Sequence, residues 1–282
     1  MRLAIALLCA TAAVAAAGAA GAAHPPSVEL RDAVVRVTVI PEDRSDIKVE
    51  MVTTNRNLPL EVRTQGGETI IDGGLAHRIR DCHHRSDRPF ASVRGVGDVS
   101  GDQIPQIVVR TPRAVVVGSN GAVFGSIGRS GSLELHDSGC SAWVVGDVAG
   151  DAAVHESGAG SLRMGAIGRL DVKLSGAADI HAVHVRQGME SQLSGAGRIQ
   201  VEDFAGSMDA RVSGVGHVQV MGGRATQMRA IVSGMGGIDF GGVADSLDAR
   251  ISGIGGIHVN RVTGQVTKSI SGAGHVTIDG RP

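Results

Sequence analysis

From about residue 170 the chain alternates apolar and polar positions, breaks at a Ser-Gly pair, and then alternates again. The Ser-Gly pair returns at Ser157, Ser175, Ser194, Ser213, Ser233, Ser252 and Ser271, in steps of 18, 19, 19, 20, 19 and 19 residues. Period-two alternation over such short runs predicts strands rather than helices. Successive side chains on a strand face opposite sides, so the apolar positions must form inward columns. Five residues before the Ser stand Leu170, Met189, Met208, Met228, Leu247 and Val266; one before stand Leu174, Leu193, Val212, Val232, Ile251 and Ile270. Five after it come Ile180, Ile199, Val218, Ile238, Ile257 and Val276. A unit this short cannot bury its apolar face alone, and stacking on copies of itself is how a solenoid resolves that. The prediction is an all-β fold: a right-handed parallel β-solenoid (β-helix) with rungs of about 19 residues. The hand follows from the chirality of parallel connections.

The corners carry their own signals. Gly176, Gly195, Gly214, Gly234, Gly253 and Gly272 follow the serines directly, and Gly197, Gly216, Gly236, Gly255 and Gly274 stand two further on. Both positions are expected to use glycine's access to positive φ. The serines themselves, Ser157 through Ser271, read as a structural ladder. Hydroxyls at corners satisfy nearby backbone groups, and no His or Asp column accompanies them to activate a nucleophile. Outward positions alternate acid and base, as in Asp171, Glu190, Asp209 and Asp248 beside Lys173, Arg211 and Arg250. Such a face is solvated and its ion pairs are weak.

Upstream the comb weakens but continues through Ser138, Ser119 and Ser100. It places Trp143 and Phe124 in an inward column and Cys140 in another, shared with Ala159, Ala177 and Ala196. Earlier still, Val34–Ile40, Asp46–Val52, Leu58–Arg63 and Glu68–Ile71 are strand-like runs separated by Pro, Asp, Asn and Gly turns. They are either first rungs or a small β cap. The chain therefore divides into a signal peptide (1–23), an irregular N-terminal β segment or first rungs (24–92), and a regular solenoid (93–282).

Composition narrows the function. Arg2, the apolar run Leu3–Val14 and the small residues Ala20-Gly21-Ala22 have the form of a secretory signal. Export to the periplasm, outer membrane or exterior is expected, with no transmembrane segment in the mature chain. Two cysteines then remain, Cys82 and Cys140. An oxidising compartment suggests that they pair, while the inward column suggests that Cys140 is simply a small core residue. A net charge of −1 gives nucleic acid nothing to bind. Aromatics make up 2% of residues, with one Trp and no Tyr, which leaves little on which to stack sugars. No inward pair of acids stands out for glycoside hydrolysis, so no catalytic residue and no enzyme activity is expected.

Metal and cofactor sites are not expected either. His77, Asp81, Cys82, His83, His84 and Asp87 lack ligand spacing and read as a polar loop. The runs Gly97–Asp102 and Gly146–Asp151 echo calcium-binding glycine repeats but fall off the period. His181, His217, His258 and His275 face outward, too far apart to share one ion.

The units Ser194–Val201, Ser213–Val220, Ser233–Phe240, Ser252–Val259 and Ser271–Ile278 have the form Ser-Gly-x-Gly-x-Ile/Val-x-Val/Ile/Phe. Following a signal peptide and a Val-x-Val-x-Ile-Pro segment, they resemble the auto-transporter adhesin family with a head GIN domain. That resemblance implies a parallel β-solenoid in the bacterial envelope and supplies no catalytic residues. The expected role is adhesion or envelope organisation, with a glycan or protein as ligand. Alternatives are a polysaccharide-acting β-helix enzyme and a scaffold assembling end to end, a homo-oligomer through the solenoid ends. The last rung, with only Asp279–Pro282 after it, is expected to pack on a second copy or on the N-terminal segment folded back.

Overall fold

The structure, a computed structural model, describes residues 25–85 and 88–280. The segment read as an export signal, Asp87, Arg281 and Pro282 lie outside the described residues.

Strand β1 (Ser27–Glu42) is followed by β2 (Lys48–Thr53), β3 (Glu61–Gln65) and β4 (Glu68–Asp72). Then come β5 (Ile79–Arg85), β6 (Arg88–Val93) and β7 (Gly97–Ser100), a short 3-10 turn at Gly101–Gln103, β8 (Gln106–Pro112) and β9 (Ala114–Ile127). The regular stack continues through β10 (Ser132–Asp137), β11 (Cys140–Val145), β12 (Val148–Glu156), β13 (Ala159–Leu174), β14 (Asp179–Val185), β15 (Gly188–Leu193) and β16 (Arg198–Val212). It ends with β17 (His217–Val232), β18 (Gly237–Ala244), β19 (Leu247–Ile251), β20 (Gly256–Val262), β21 (Val266–Ile270) and β22 (His275–Gly280).

Every pairing in the stack from β9 to β22 is parallel. The apolar columns lie in register as the alternation requires: Ile180, Ile199, Val218, Ile238 and Ile257 stand one above another and are fully buried. So do Leu170, Met189, Met208, Met228 and Leu247. The chain is a parallel β-solenoid, and its core is one continuous apolar column system along the axis.

The corner glycines have a different cause from the expected one. None of them has positive φ; that conformation is found at Gly121, Gly188, Gly206 and Gly223, among others. Instead, a Cβ on Gly214 would overlap the carbonyl oxygen of Gly195 one rung away, and a Cβ on Gly234 that of Gly214. Gly216 and Gly236 meet the carbonyls of Gly197 and Gly216 in the same way. Stacked corners approach too closely for any side chain, so glycine is required by packing rather than by φ.

The upstream end departs from the comb. Strand β1 is inserted between two rungs: β9 lies on one side of it, and β4 and β8 together form the rung on the other. Antiparallel β2 and β3 then close the edges of β8 and β4. The N-terminal segment thus supplies both rungs and a cap. Ser100 is not a corner; it ends β7 in a separate antiparallel meander, β5-β6-β7. Phe124 is not inward. The step from β9 to β11 is 18 residues, so Phe124 pairs with Ala142 and Gly125 with Trp143. A one-residue slip turns a side chain to the other face. Phe124 therefore joins a second core beneath the meander, with Val34, Leu75, Val93 and Ile104. Trp143 keeps its inward place in the column of Leu162 and Ile180, and its ring fills the space that a Cβ on Gly125 would occupy.

At the C-terminal end Val266, Val276 and Ile278 are half-buried and Ile270 is 45% exposed. The described N-terminal residues lie at the opposite end, so they do not fold back over this rung.

Candidate functional site

From Asp137 onward the residue before each corner serine forms a single column in register, continued upstream by Ser119, Leu30 and Ile71, so Ser119 is turned inward and is not itself a corner serine. The column runs Ile71, Leu30, Ser119, Asp137, Glu156, Leu174, Leu193, Val212, Val232, Ile251, Ile270. All but the last are buried, and three consecutive members are polar. Ser119, Asp137 and Glu156 are 3%, 3% and 5% exposed. This is an inward acid pair, contrary to the expectation that none exists. The comb itself carried the signal, because Asp137 and Glu156 precede Ser138 and Ser157.

Each carboxyl group is supplied with donors. Ser119 Oγ donates to Asp137 Oδ1 at 2.9 Å and the Gly139 amide donates to the same oxygen at 3.2 Å. Ser141 Oγ donates to Asp137 Oδ2. The Gly158 amide donates to Glu156 Oε1 at 2.9 Å, and the two carboxyl groups are neighbours on adjacent rungs. Two buried carboxylates in contact cannot both ionise cheaply. Burial, and then the Asp137 charge, push Glu156 up to about 8, so at neutral pH Glu156 holds its proton.

The pair forms the floor of a groove of about 370 Å³ whose outer wall carries Glu29, His136, His155 and Lys173. His136 and His155 occupy the same outward position on adjacent rungs. Their Nδ1 atoms are 3.1 Å apart and the rings meet edge to face. Glu134 Oε1 lies 2.8 Å from His136 Nε2. Burial lowers the pKa of His155 and raises that of Glu29. Glu29 reaches this groove because Gly118, next to His136 in the outward column, leaves the space its carboxylate fills. Both histidines escaped the sequence reading, although each stands two residues before a comb serine.

The sequence-predicted residues are placed as follows. Ser157, Ser175, Ser194, Ser213, Ser233, Ser252 and Ser271 form an exposed column whose amides donate to the preceding rung, for example Ser194 N to Leu174 O at 2.9 Å. The hydroxyls of Ser157 and Ser271 lie 3.5 Å from the carbonyls of Asp137 and Ile251. The position two after the serine faces outward, not inward: Val215, Met235 and Ile254 form an exposed apolar ridge along it. Cys140, in that column, is half-buried under the meander and forms a disulfide with Cys82. His83 lies in strand β5 rather than in a loop, stacked on Phe90 at 4.4 Å. On the outer face of the later rungs His217 Nε2 contacts Asp239 Oδ2 at 2.5 Å, and His258 Nε2 contacts Asp279 Oδ2 at 2.8 Å.

A second, longer groove of about 580 Å³ runs across the turns opposite the serine corners, from Arg169 to Thr267. Ser207, Gln227, Ser246 and Gln265 line it at the rung period, beside Asp209 and Asp248. Among the described residues no helix is long and apolar enough to cross a membrane.

Among curated proteins none matches the sequence. Similar solved structures include a "putative adhesin" from Parabacteroides distasonis, 15% identical, covering 90% of this chain and 92% of that one with a TM-score of 0.49. Another is a "putative adhesin" from Parabacteroides merdae, 12% identical, covering 90% and 91% with a TM-score of 0.47. A third is a "putative lipid binding protein" from P. distasonis, 18% identical, covering 89% and 92% with a TM-score of 0.47. The model of one family, described as "putative auto-transporter adhesin, head GIN domain", matches residues 106–282, from the start of β8 through the whole regular stack. The chain belongs to that family.

Proposed function

We propose that this protein is an exported, non-enzymatic adhesin-type solenoid that binds an envelope or cell-surface ligand along its outer faces. The observation that carries this reading is the in-register repetition of exposed side chains. The serine column repeats its hydroxyl on every rung, about 4.8 Å apart, and beside it run outward columns that are mostly charged or polar (Glu190, Asp209, Arg229, Asp248) and an exposed apolar ridge. A surface of that kind offers many weak, equivalent contacts to an extended partner, and their sum gives avidity. Family membership agrees with it.

The signal-like N-terminus supports export, and the paired cysteines suit an oxidising compartment. The test has two parts. Mass spectrometry of the protein recovered from its own cells should find a chain starting near residue 24, in the envelope or medium. A full-length cytoplasmic chain would overturn export. Labelled mature protein should bind whole cells or purified envelopes saturably and be displaced by unlabelled protein; unsaturable binding would overturn the adhesin reading.

The buried acid pair favours one rival, a polysaccharide-acting enzyme, since glycoside hydrolysis uses two carboxyl groups with separated pKa values. Both carboxyl groups are here enclosed and engaged by internal donors, which suits a structural role better. Turnover of a polysaccharide that disappears in Glu156→Gln and Asp137→Asn would establish the rival.

A further inference from the structure

We infer that His136 and His155 form a two-histidine binding site for a divalent first-row transition-metal ion of the Cu(II), Ni(II) or Zn(II) type. Three observations carry the inference independently of the adhesin reading.

The first is the bite. The two side chains project from paired positions of adjacent parallel rungs, so their separation is set by the sheet rather than by a loop. Their Nδ1 atoms lie 3.1 Å apart. With metal–nitrogen bonds of about 2.0–2.1 Å, that separation corresponds to an N–metal–N angle of roughly 100°. This lies between the right angle of a tetragonal ion and the tetrahedral angle, within reach of all three metals.

The second is the tautomer. A neutral imidazole has one N–H and one lone pair. Glu134 at His136 Nε2 holds the N–H there, which leaves the Nδ1 lone pair of His136 directed to the shared space. A carboxylate on the far nitrogen of a metal-binding histidine is the common outer partner in such sites. His155 now supplies an Nδ1–H to that lone pair. Moving its proton to the exposed Nε2 converts the contact into two lone pairs for one ion, with no net proton release.

The third is room and further oxygen. The two histidines open on the groove of about 370 Å³, where Glu29 lies over Gly118 on the next rung. Among the described residues no three His, Cys, Asp or Glu side chains already converge on one point. The protein therefore contributes two nitrogens, and water, with the Glu29 carboxylate close by, completes the coordination. Lys173, paired with His155 from the next rung, opposes the ion electrostatically and limits its affinity.

The experiment titrates the purified, untagged protein with Cu(II), followed by calorimetry and by electron paramagnetic resonance. One ion showing coupling to two imidazole nitrogens is expected. His136→Ala and His155→Ala should each remove that species, Glu134→Gln should weaken it roughly tenfold, and Lys173→Gln should tighten it. If either alanine variant loses its β-sheet circular dichroism, the corresponding asparagine variant takes its place. Absence of the two-nitrogen species in wild type, or its persistence in the His136→Ala/His155→Ala double variant, would overturn the site.

Discussion

The solenoid has two halves built on one geometry and filled with different chemistry. From Ser175 to the C-terminus the steps are 19 or 20 residues, and the column before each serine is Leu, Leu, Val, Val, Ile, Ile. Between β1 and Ser157 the steps vary, a strand is inserted out of chain order, and the same column turns polar for three rungs. The tryptophan, the disulfide, the acid pair and the histidine pair all lie in this upstream half. A uniform stack needs only shape. The irregular half contains the groups whose burial or charge must be explained individually, and it is there that specific chemistry is concentrated.

Four measurements probe the contrast, taken from the largest expected effect. Trp143→Ala should cost about 3–5 kcal/mol, because it removes the largest of the fully buried side chains and leaves a cavity in the core. Thermal unfolding should reveal it, and a loss below about 1 kcal/mol would mean that the ring is dispensable.

Glu156 should make stability pH-dependent in one direction. Its folded pKa, about 8, is above the usual 4.5, so the folded state binds the extra proton between those values. Stability is then fully present below about 4.5 and falls as pH rises to about 8, by at most about 1.4 kcal/mol per unit. Glu29 shifts in the same direction. His155, lowered by burial, acts only at the acid side, where its stabilising neutral form is lost below its ordinary 6.5. Chemical denaturation between pH 6.5 and 9 should therefore show a falling midpoint in wild type and a flatter line in Glu156→Gln. Parallel lines would refute the raised pKa of Glu156.

In the uniform half, Gly214→Ala should cost about 1–3 kcal/mol as an overpacked position, since the new Cβ meets a backbone carbonyl that cannot turn away. Tolerance without loss of melting temperature would show that the corners can separate. Smallest of all, Ser157→Ala should stay within about 0.5 kcal/mol. Its hydroxyl is exposed and its contact with the Asp137 carbonyl is 3.5 Å long. A larger loss would give the serine ladder a role beyond its amides.

Legibility follows the same division. The strands of residues 170–278 could be placed face by face, because their inward columns repeat and each repeat corrects the reading of its neighbours, whereas the corner position of Ala177 and Ala196, expected inward, faces out. Upstream, a single 18-residue step was enough to turn Phe124 to the wrong side, and no local signal marks that β1 will be enclosed by later rungs. The acid pair was within reach of the comb, but the column had been defined on its apolar members and not extended to Asp137. The corner glycines are legible as positions but not by cause, since positive φ and crowding between rungs leave the same residue in the sequence. His136 and His155 show the same limit: a column becomes meaningful only when both of its neighbours are known.

The insertion of β1 has a consequence for the order in which the protein forms. Late rungs pair with partners about one repeat away, as Ile199 does with Val218. Strand β1 instead pairs Ser27 with Glu68 and Val28 with Val117. Strand β1 can be enclosed on both sides only once β9, about 90 residues further along, is available, and long-range pairing of this kind is slow. A chain threaded through a membrane from its N-terminus would therefore present β1 with one edge open until β9 had followed it. This end of the solenoid is completed when a later rung closes over β1, rather than rung by rung in chain order.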